Sequence, residues 1–200
     1  RPKNLDSDLA RFPYVNGDLF RDPLLIPSFD AEMRKRLIDA CRFDWSGISP
    51  AIFGSLFQSV MDKAERRSQG AHYTTEKNIM KVIEPLFLDE LRAEFKRLKS
   101  RKDSRRLPEL LKFQEKLGQL RFFDPACGCG NFLIIAYREL RTLEIEVLRK
   151  LRPSGQYDVL ADLLSMIDVD QFYGIEIGEF PARIAETALW MMDHIMNNRL

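Results

Sequence analysis

The chain has 200 residues, 45% of them hydrophobic and 30% charged, with a formal net charge of only +1. That size holds one ordinary domain, or a helical module plus part of a second. The charge balance excludes a polycation, so a nucleic-acid footprint has to come from local clustering. No apolar run approaches the ~20 residues that span a bilayer. Arg1-Pro2-Lys3-Asn4 carries neither an initiator Met nor a signal-peptide apolar region, and the expectation is a cytoplasmic protein and an excised fragment.

In chain order, the stretch to about Ser28 is rich in Pro, Asn, Asp and Gly and reads as a loop ordered by its aromatics. Asp30 is placed to cap a helix carrying Met33, Leu37, Ile38 and Cys41. Ser49 and Pro50 open a second helix with an apolar stripe of Ile52, Phe53, Leu56, Phe57, Val60 and Met61. A third helix begins after Thr74 or Thr75 and runs through Ile79, Val82 and Ile83. Pro85 is expected to kink or interrupt it, since proline lacks a backbone donor and crowds the preceding turn. The pattern resumes with Leu86, Phe87, Leu88, Leu91 and Phe95 and enters a basic run of Arg92, Lys96, Arg97, Lys99, Arg101, Lys102, Arg105 and Arg106. A short helix from about Pro108 to Leu117 follows.

At Leu120 the character changes. Leu120 to Phe123 reads as a strand ending at Asp124-Pro125, then comes a glycine-containing turn and a long helix from Asn131 to about Leu151. Pro153-Ser154-Gly155 breaks that helix, and a short one around Tyr157 to Leu164 comes next. Phe172-Tyr173-Gly174-Ile175 is a second strand ending at Glu176. Pro181 opens a final helix with Ile184, Leu189, Trp190, Met191, Ile195 and Met196. Trp45, Trp190 and Met191-Met192 read as core.

The turn Asp124-Pro125-Ala126-Cys127-Gly128-Cys129-Gly130-Asn131-Phe132 carries the chemistry. Between strand and helix it lies at a strand's carboxyl end, where α/β folds bind ligands. Its two glycines permit a sharp bend and close approach of a ligand. Two ligand classes compete. A dinucleotide fingerprint would want a third glycine where Leu133 stands, and Asp124 is poorly placed for a pyrophosphate. Both features suit a cation better, such as S-adenosylmethionine with its ammonium and sulfonium. Glu176 is placed to accept hydrogen bonds from ribose hydroxyls, with Ile177 against one face of an adenine. The interval from Gly130 to Glu176 exceeds the ~20 residues usual in the dinucleotide fold, and the extra helix after Pro153 accounts for it.

The three cysteines, Cys41, Cys127 and Cys129, give no disulfide framework, and His72 and His194 are isolated, so no metal site is expected. Cys127 and Cys129 read as small side chains in a tight loop rather than catalytic thiols. The basic run reads first as a solvated helix face, with contact to a DNA backbone as its functional alternative.

Asp-Pro-Ala-Cys-Gly-x-Gly-Asn-Phe resembles the cofactor motif of the adenine-N6 DNA methyltransferases, whose usual form has Ser where Cys129 stands. Gly70-Ala71-His72-Tyr73-Thr74-Thr75 resembles the segment that closes over the methionine end of the cofactor, with Glu76 where many relatives have Pro. Phe12 to Phe20, Phe43 to Pro50, Phe53 to Gln58 and Glu84 to Leu91 resemble the MmeI-like single-chain restriction-modification enzymes. The resemblance implies S-adenosylmethionine bound by Asp124, Pro125, Ala126, Gly128, Gly130, Asn131, Phe132, Glu176 and Ile177, with Tyr73 and Thr75 assisting. It also implies methylation of an adenine flipped out of double-stranded DNA.

The family's catalytic Asn/Asp-Pro-Pro-Tyr/Phe is absent from this sequence, so no catalytic residue is assigned and the polypeptide alone is expected to be inactive. The expected architecture is α/β and helix-rich. A helical connector over 1–67 precedes the first part of a Rossmann-like methyltransferase fold over 68–200, with an incomplete sheet. Such a sheet needs the remainder of the parent chain, or leaves an edge open to self-association. Three other readings remain open at this point: a nicotinamide oxidoreductase, a helical DNA- or protein-binding module, and a methyltransferase acting on protein or RNA.

Overall fold

The structure is a computed structural model describing residues 28–44, 48–49, 51–60, 74–151 and 165–199. Seven helices and two strands fall within these residues: α1 (Ala31–Arg42), α2 (Ile52–Val60), α3 (Glu76–Ile83), α4 (Asp89–Ser100), α5 (Arg106–Gln119), β1 (Phe122–Asp124), α6 (Asn131–Leu151), β2 (Phe172–Gly174) and α7 (Glu179–Asn197). The expected break at Pro153 and the helix around Tyr157 lie outside the described residues, as do Met61 and Trp45.

Local chemistry explains most boundaries. The Asp30 carboxylate accepts the Met33 amide at 2.8 Å and starts α1. That helix buries none of its residues, so the stripe from Met33 to Cys41 is open surface here rather than core. Ser49 starts α2 as expected, its carbonyl accepting from Ile52 and its hydroxyl lying 3.4 Å from the Ala51 amide. Pro85 interrupts the α-helix, as expected, without ending the helical path. Residues Glu84–Leu88 widen into a π turn joining α3 to α4, closed by the Asp89 amide on the Glu84 carbonyl. The wider turn absorbs the proline's missing donor while the chain stays helical.

Helices α5 and α7 both start two residues before the proline expected to open them, with Pro108 and Pro181 third in their helices. The first four helical amides have no intrahelical acceptor, so a proline anywhere in that turn forfeits nothing. Helix α6 spans Asn131–Leu151, the bounds read from the sequence.

Among the described residues the sheet is one parallel pair, with Phe122 opposite Phe172, Phe123 opposite Tyr173 and Asp124 opposite Gly174. The alternation of strand side chains separates two faces. Phe122 and Phe172 stack at 5.0 Å on the inner face, where Phe87 and Tyr137 also meet them. Phe123 and Tyr173 point outward and are exposed. The core therefore lies on one side, built from Leu91, Phe95, Leu110, Phe113, Leu117 and the apolar face of α6.

Beneath the strands sits a buried polar brace. Arg141 and Glu144 of α6 form a fully buried ion pair. Glu144 also accepts from Gln114 at 3.2 Å and from the Met166 amide at 2.6 Å, and Arg141 donates to Ser165 and Asn197. The pair thus ties α5, α6, α7 and the approach to β2 at one point. Among the described residues no group could hold a metal ion, and no helix is long and apolar enough to cross a membrane.

Candidate cofactor site

Parallel pairing of β1 with β2 sets Asp124 and Glu176 at neighbouring strand ends on the same edge of the molecule. The Ile175 amide donates to the Asp124 carbonyl at 3.0 Å, and the Cys127 amide donates to the Ile175 carbonyl at 3.0 Å, so the glycine loop is stitched onto the end of β2. The two acids and the loop therefore lie together at one edge of the sheet.

The bend itself depends on two glycines in the left-handed region, Gly128 at φ 54° and Gly130 at φ 78°. Gly130 has a second reason to be glycine: a Cβ there would come within 2.8 Å of the Ala185 Cβ on α7. The Gly130 amide closes the turn on the Cys127 carbonyl at 2.8 Å, and the Gly130 carbonyl accepts Ile134 to begin α6. Leu133 occupies the place of the third glycine in a dinucleotide fingerprint. The close approach it would oppose is made from the strand instead. A Cβ on Gly174 would lie 2.6 Å from Cys127 Sγ and 3.3 Å from Leu133 Cδ1.

Glu176 does more than wait for a ligand. Its Oε2 accepts the Gly128 amide at 3.0 Å and its Oε1 accepts the Gly178 amide at 2.8 Å. One carboxylate therefore clamps the glycine loop to the turn that starts α7, and each oxygen retains capacity for a further hydrogen bond. This clamp is invisible in the sequence, since it joins residues from two loops. Asp124 Oδ1 accepts the Ala126 amide at 3.0 Å, an Asx turn that orients the carboxylate. Oδ2 is free of hydrogen bonds among the described residues.

Ile177 is fully exposed, and Ile175 is 55% exposed beside it. Pro125 and Ala126 are exposed at the bend, and Asn131 and Phe132 are half-buried at the start of α6. Thr75 is the N-cap of α3 through its backbone, with no side-chain capping bond. The next residue, Glu76, accepts from Arg138 at 2.7 Å and fastens that end of α3 beside α6, about two turns from the loop. The Arg138 hydrogen bond holds the Glu76 carboxyl below its ordinary range. Tyr73 and His72 lie outside the described residues.

Cys127 and Cys129 are half-buried. Burial, reinforced by the nearby Asp124 and Glu176 charges, pushes the Cys127 thiol up to about 11, and burial with the Glu176 charge does the same for Cys129. Both thiols are protonated at neutral pH, the opposite of an activated nucleophile.

The basic run is partly committed internally. Arg92 bridges Glu84 and Glu139, Lys99 faces Glu146 and Arg101 pairs with Asp103. Lys96, Arg97, Lys102, Arg105 and Arg106 form no ion pair among the described residues.

Comparison with known proteins identifies the family. The chain is 43% identical over 200 residues to DNA methyltransferase A of Bacillus subtilis (strain 168), covering 98% of this chain and 22% of that protein. A putative type II restriction enzyme and methyltransferase of Methanocaldococcus jannaschii is 25% identical over 217 residues, with 90% of this chain and 18% of that protein covered. A solved structure of the type IIL restriction-modification enzyme MmeI in complex with DNA superposes over 100% of this chain and 26% of its own, with a TM-score of 0.81 and 60% sequence identity. The chain thus spans about a quarter or less of the length of these relatives. Residues 97–200 match the model of the MmeI DNA-methyltransferase domain, and the chain belongs to that family.

Proposed function

We propose that this chain is the cofactor-binding part of an S-adenosylmethionine-dependent DNA methyltransferase that modifies adenine N6 within a restriction-modification enzyme. The observation that carries this reading is the juxtaposition of Asp124 and Glu176 across the Gly128–Gly130 bend, the two carboxylates set by adjacent parallel strands. The donor set fits the ligand. Two acids attract a cationic nucleoside, Glu176 has lone pairs for ribose hydroxyls, and Ile175 and Ile177 offer apolar surface to an adenine. A pyrophosphate on the loop would meet the Asp124 carboxylate with repulsion, and Leu133 stands where its fingerprint wants glycine, which disfavours a nicotinamide cofactor.

Bound S-adenosylmethionine would supply the methyl group. The chain's own residues would hold and orient it: Asp124 would pair with the ammonium end, the loop amides set the bend, and Glu176 would accept from the ribose hydroxyls. The fold is the first part of a Rossmann-like sheet, 68–200 being the methyltransferase portion and 1–67 the connector. Double-stranded DNA is the partner of the whole enzyme. The polypeptide by itself binds cofactor without turnover, because the Asn-Pro-Pro-Tyr segment that would grip the flipped base does not occur in it.

Titration calorimetry tests the reading. S-adenosylmethionine is expected to bind and NAD to fail, with Asp124→Ala and Glu176→Ala each weakening the methyl donor by about 10-fold or more, as for lost charged contacts. Binding of NAD alone would overturn it. Salt-sensitive DNA binding without cofactor affinity would favour a plain DNA-binding module.

A further inference from the structure

We infer that helix α2, which lies within the N-terminal connector, is a working part of the cofactor site, with Gly54 as the positioning residue that lets it seat against Asn131. This rests on the cofactor reading above.

Gly54 is buried, and a Cβ built on it would meet Asn131 Nδ2 at 2.8 Å and Oδ1 at 3.0 Å. Asn131 is the first residue of α6 and follows Gly130 directly. Its Oδ1 is buried with no hydrogen-bond partner among the described residues. Helix α2 also packs on α7. Helix α7 in turn touches the loop through Ala185, which the missing Cβ of Gly130 admits. The turn that starts α7 is the one Glu176 clamps through Gly178.

Three surfaces therefore meet at one seam. Helix α2 packs on both Asn131 and α7, and α7 meets at Gly130 the loop that Glu176 clamps through Gly128. Moving α2 outward would free Asn131 and α7 to shift, loosening the glycine bend whose shape a bound cofactor must meet. A glycine in mid-helix weakens the helix that holds it. Its presence in α2 is accounted for by this contact, since any larger side chain would hold the helix away from Asn131.

Because the seam couples two regions, the coupling is reciprocal. Cofactor binding tightens α2, and a looser α2 weakens cofactor binding. The region preceding the methyltransferase portion thereby acquires a physical handle on cofactor occupancy.

The test is a double-mutant cycle on the 200-residue chain, read by calorimetry with S-adenosylmethionine. Gly54→Ala is expected to weaken binding by about 10-fold, the scale of coupling between packed neighbours. Asn131→Ala removes the obstructing amide, so Gly54→Ala in that background is expected to cost less than about 2-fold. Saturating cofactor is also expected to slow amide exchange across Ile52–Val60. Unaltered affinity in Gly54→Ala, an equal loss in both backgrounds, or unchanged exchange in α2 would each overturn the inference. A wild-type chain that takes up no S-adenosylmethionine overturns the cofactor reading itself. The same cycle followed by thermal unfolding then judges the seam: a loss in Tm relieved by Asn131→Ala supports it, and an equal loss in both backgrounds refutes it.

Discussion

Gly128 and Gly130 stand two positions apart in the same bend yet have different reasons to be glycine. At Gly128 a Cβ would meet nothing within 4 Å, so an alanine there would suffer only the left-handed backbone. That strain is about 1–2 kcal/mol. At Gly130 the same strain is joined by a 2.8 Å clash with Ala185. Gly130→Ala is therefore expected to destabilise by roughly 3 kcal/mol, the strain plus an overpacking term, and Ala185→Gly should recover part of that loss. Urea denaturation of the three variants decides the matter; equal losses at the two glycines would contradict the packing argument.

The thiols of this bend make a second prediction. Cys41 is exposed, whereas Cys127 and Cys129 are half-buried with thiols raised from 9.0 to about 11. A rise of two units removes about 99% of the thiolate near pH 8, so alkylation of the pair should lag an ordinary exposed thiol by about 100-fold. Each thiol binds its proton more tightly in the folded than in the unfolded chain. The linkage then has stability falling as pH rises from 9.0 toward 11, since the unfolded state deprotonates first. Mass-spectrometric mapping of early alkylation sites checks the order; prompt labelling of Cys127 at pH 8 would contradict it.

Among the elements, α6 anchors the rest, and its buried pair concentrates the risk. Arg141→Met leaves the Glu144 carboxylate buried with its Gln114, Ser165 and Met166 donors but without its counter-charge. Removing one partner of such a pair costs about 3–5 kcal/mol, whereas replacing both by apolar residues of similar size is far less harmful. Equilibrium unfolding should show Arg141→Met well below Arg141→Met/Glu144→Leu. The reverse order would mean that the pair is not buried in the folded state.

A second buried side chain, Gln171, shows where element boundaries escape a sequence reading. The strand expected from Leu120 begins at Phe122, because Leu120 closes α5 and its carbonyl is taken by Gln171 Nε2 at 2.9 Å. The Gln171 side chain also accepts the Asp168 amide at 2.7 Å and holds the 3₁₀ turn Val169–Gln171 that no periodicity announced. Long-range side-chain bonds of this kind compete with the backbone ladder and leave no local trace.

At the scale of the whole molecule, the outer face of the sheet is the unfinished feature. Phe123 and Tyr173 lie side by side at 61% and 51% exposure, with Ile175 and Ile177 continuing the apolar surface. Two strands of three residues cannot cover such a face or stand alone. In relatives of which this chain spans about a quarter or less, further chain is on hand to cover it. The isolated polypeptide is expected to self-associate at micromolar concentration through this face. Phe123→Ser/Tyr173→Thr should restore a monomer in sedimentation equilibrium. A wild-type chain that stays monomeric would show the face to be tolerated by solvent.

Composition, helical periodicity and one glycine-bearing motif were enough to identify the start and approximate extent of α6, the strand–loop–helix order and the strand ends that carry the acids. Those features obey local rules, in which a side chain's neighbours in sequence are its neighbours in space. The clamp of Glu176 on Gly128 and Gly178, the substitution of Gly174 for a third loop glycine, the Arg141–Glu144 brace and the seat of Gly54 on Asn131 were settled by the tertiary structure alone. Each joins residues far apart along the chain, and which of them meet depends on how strands pair and helices pack, information that no window of sequence contains.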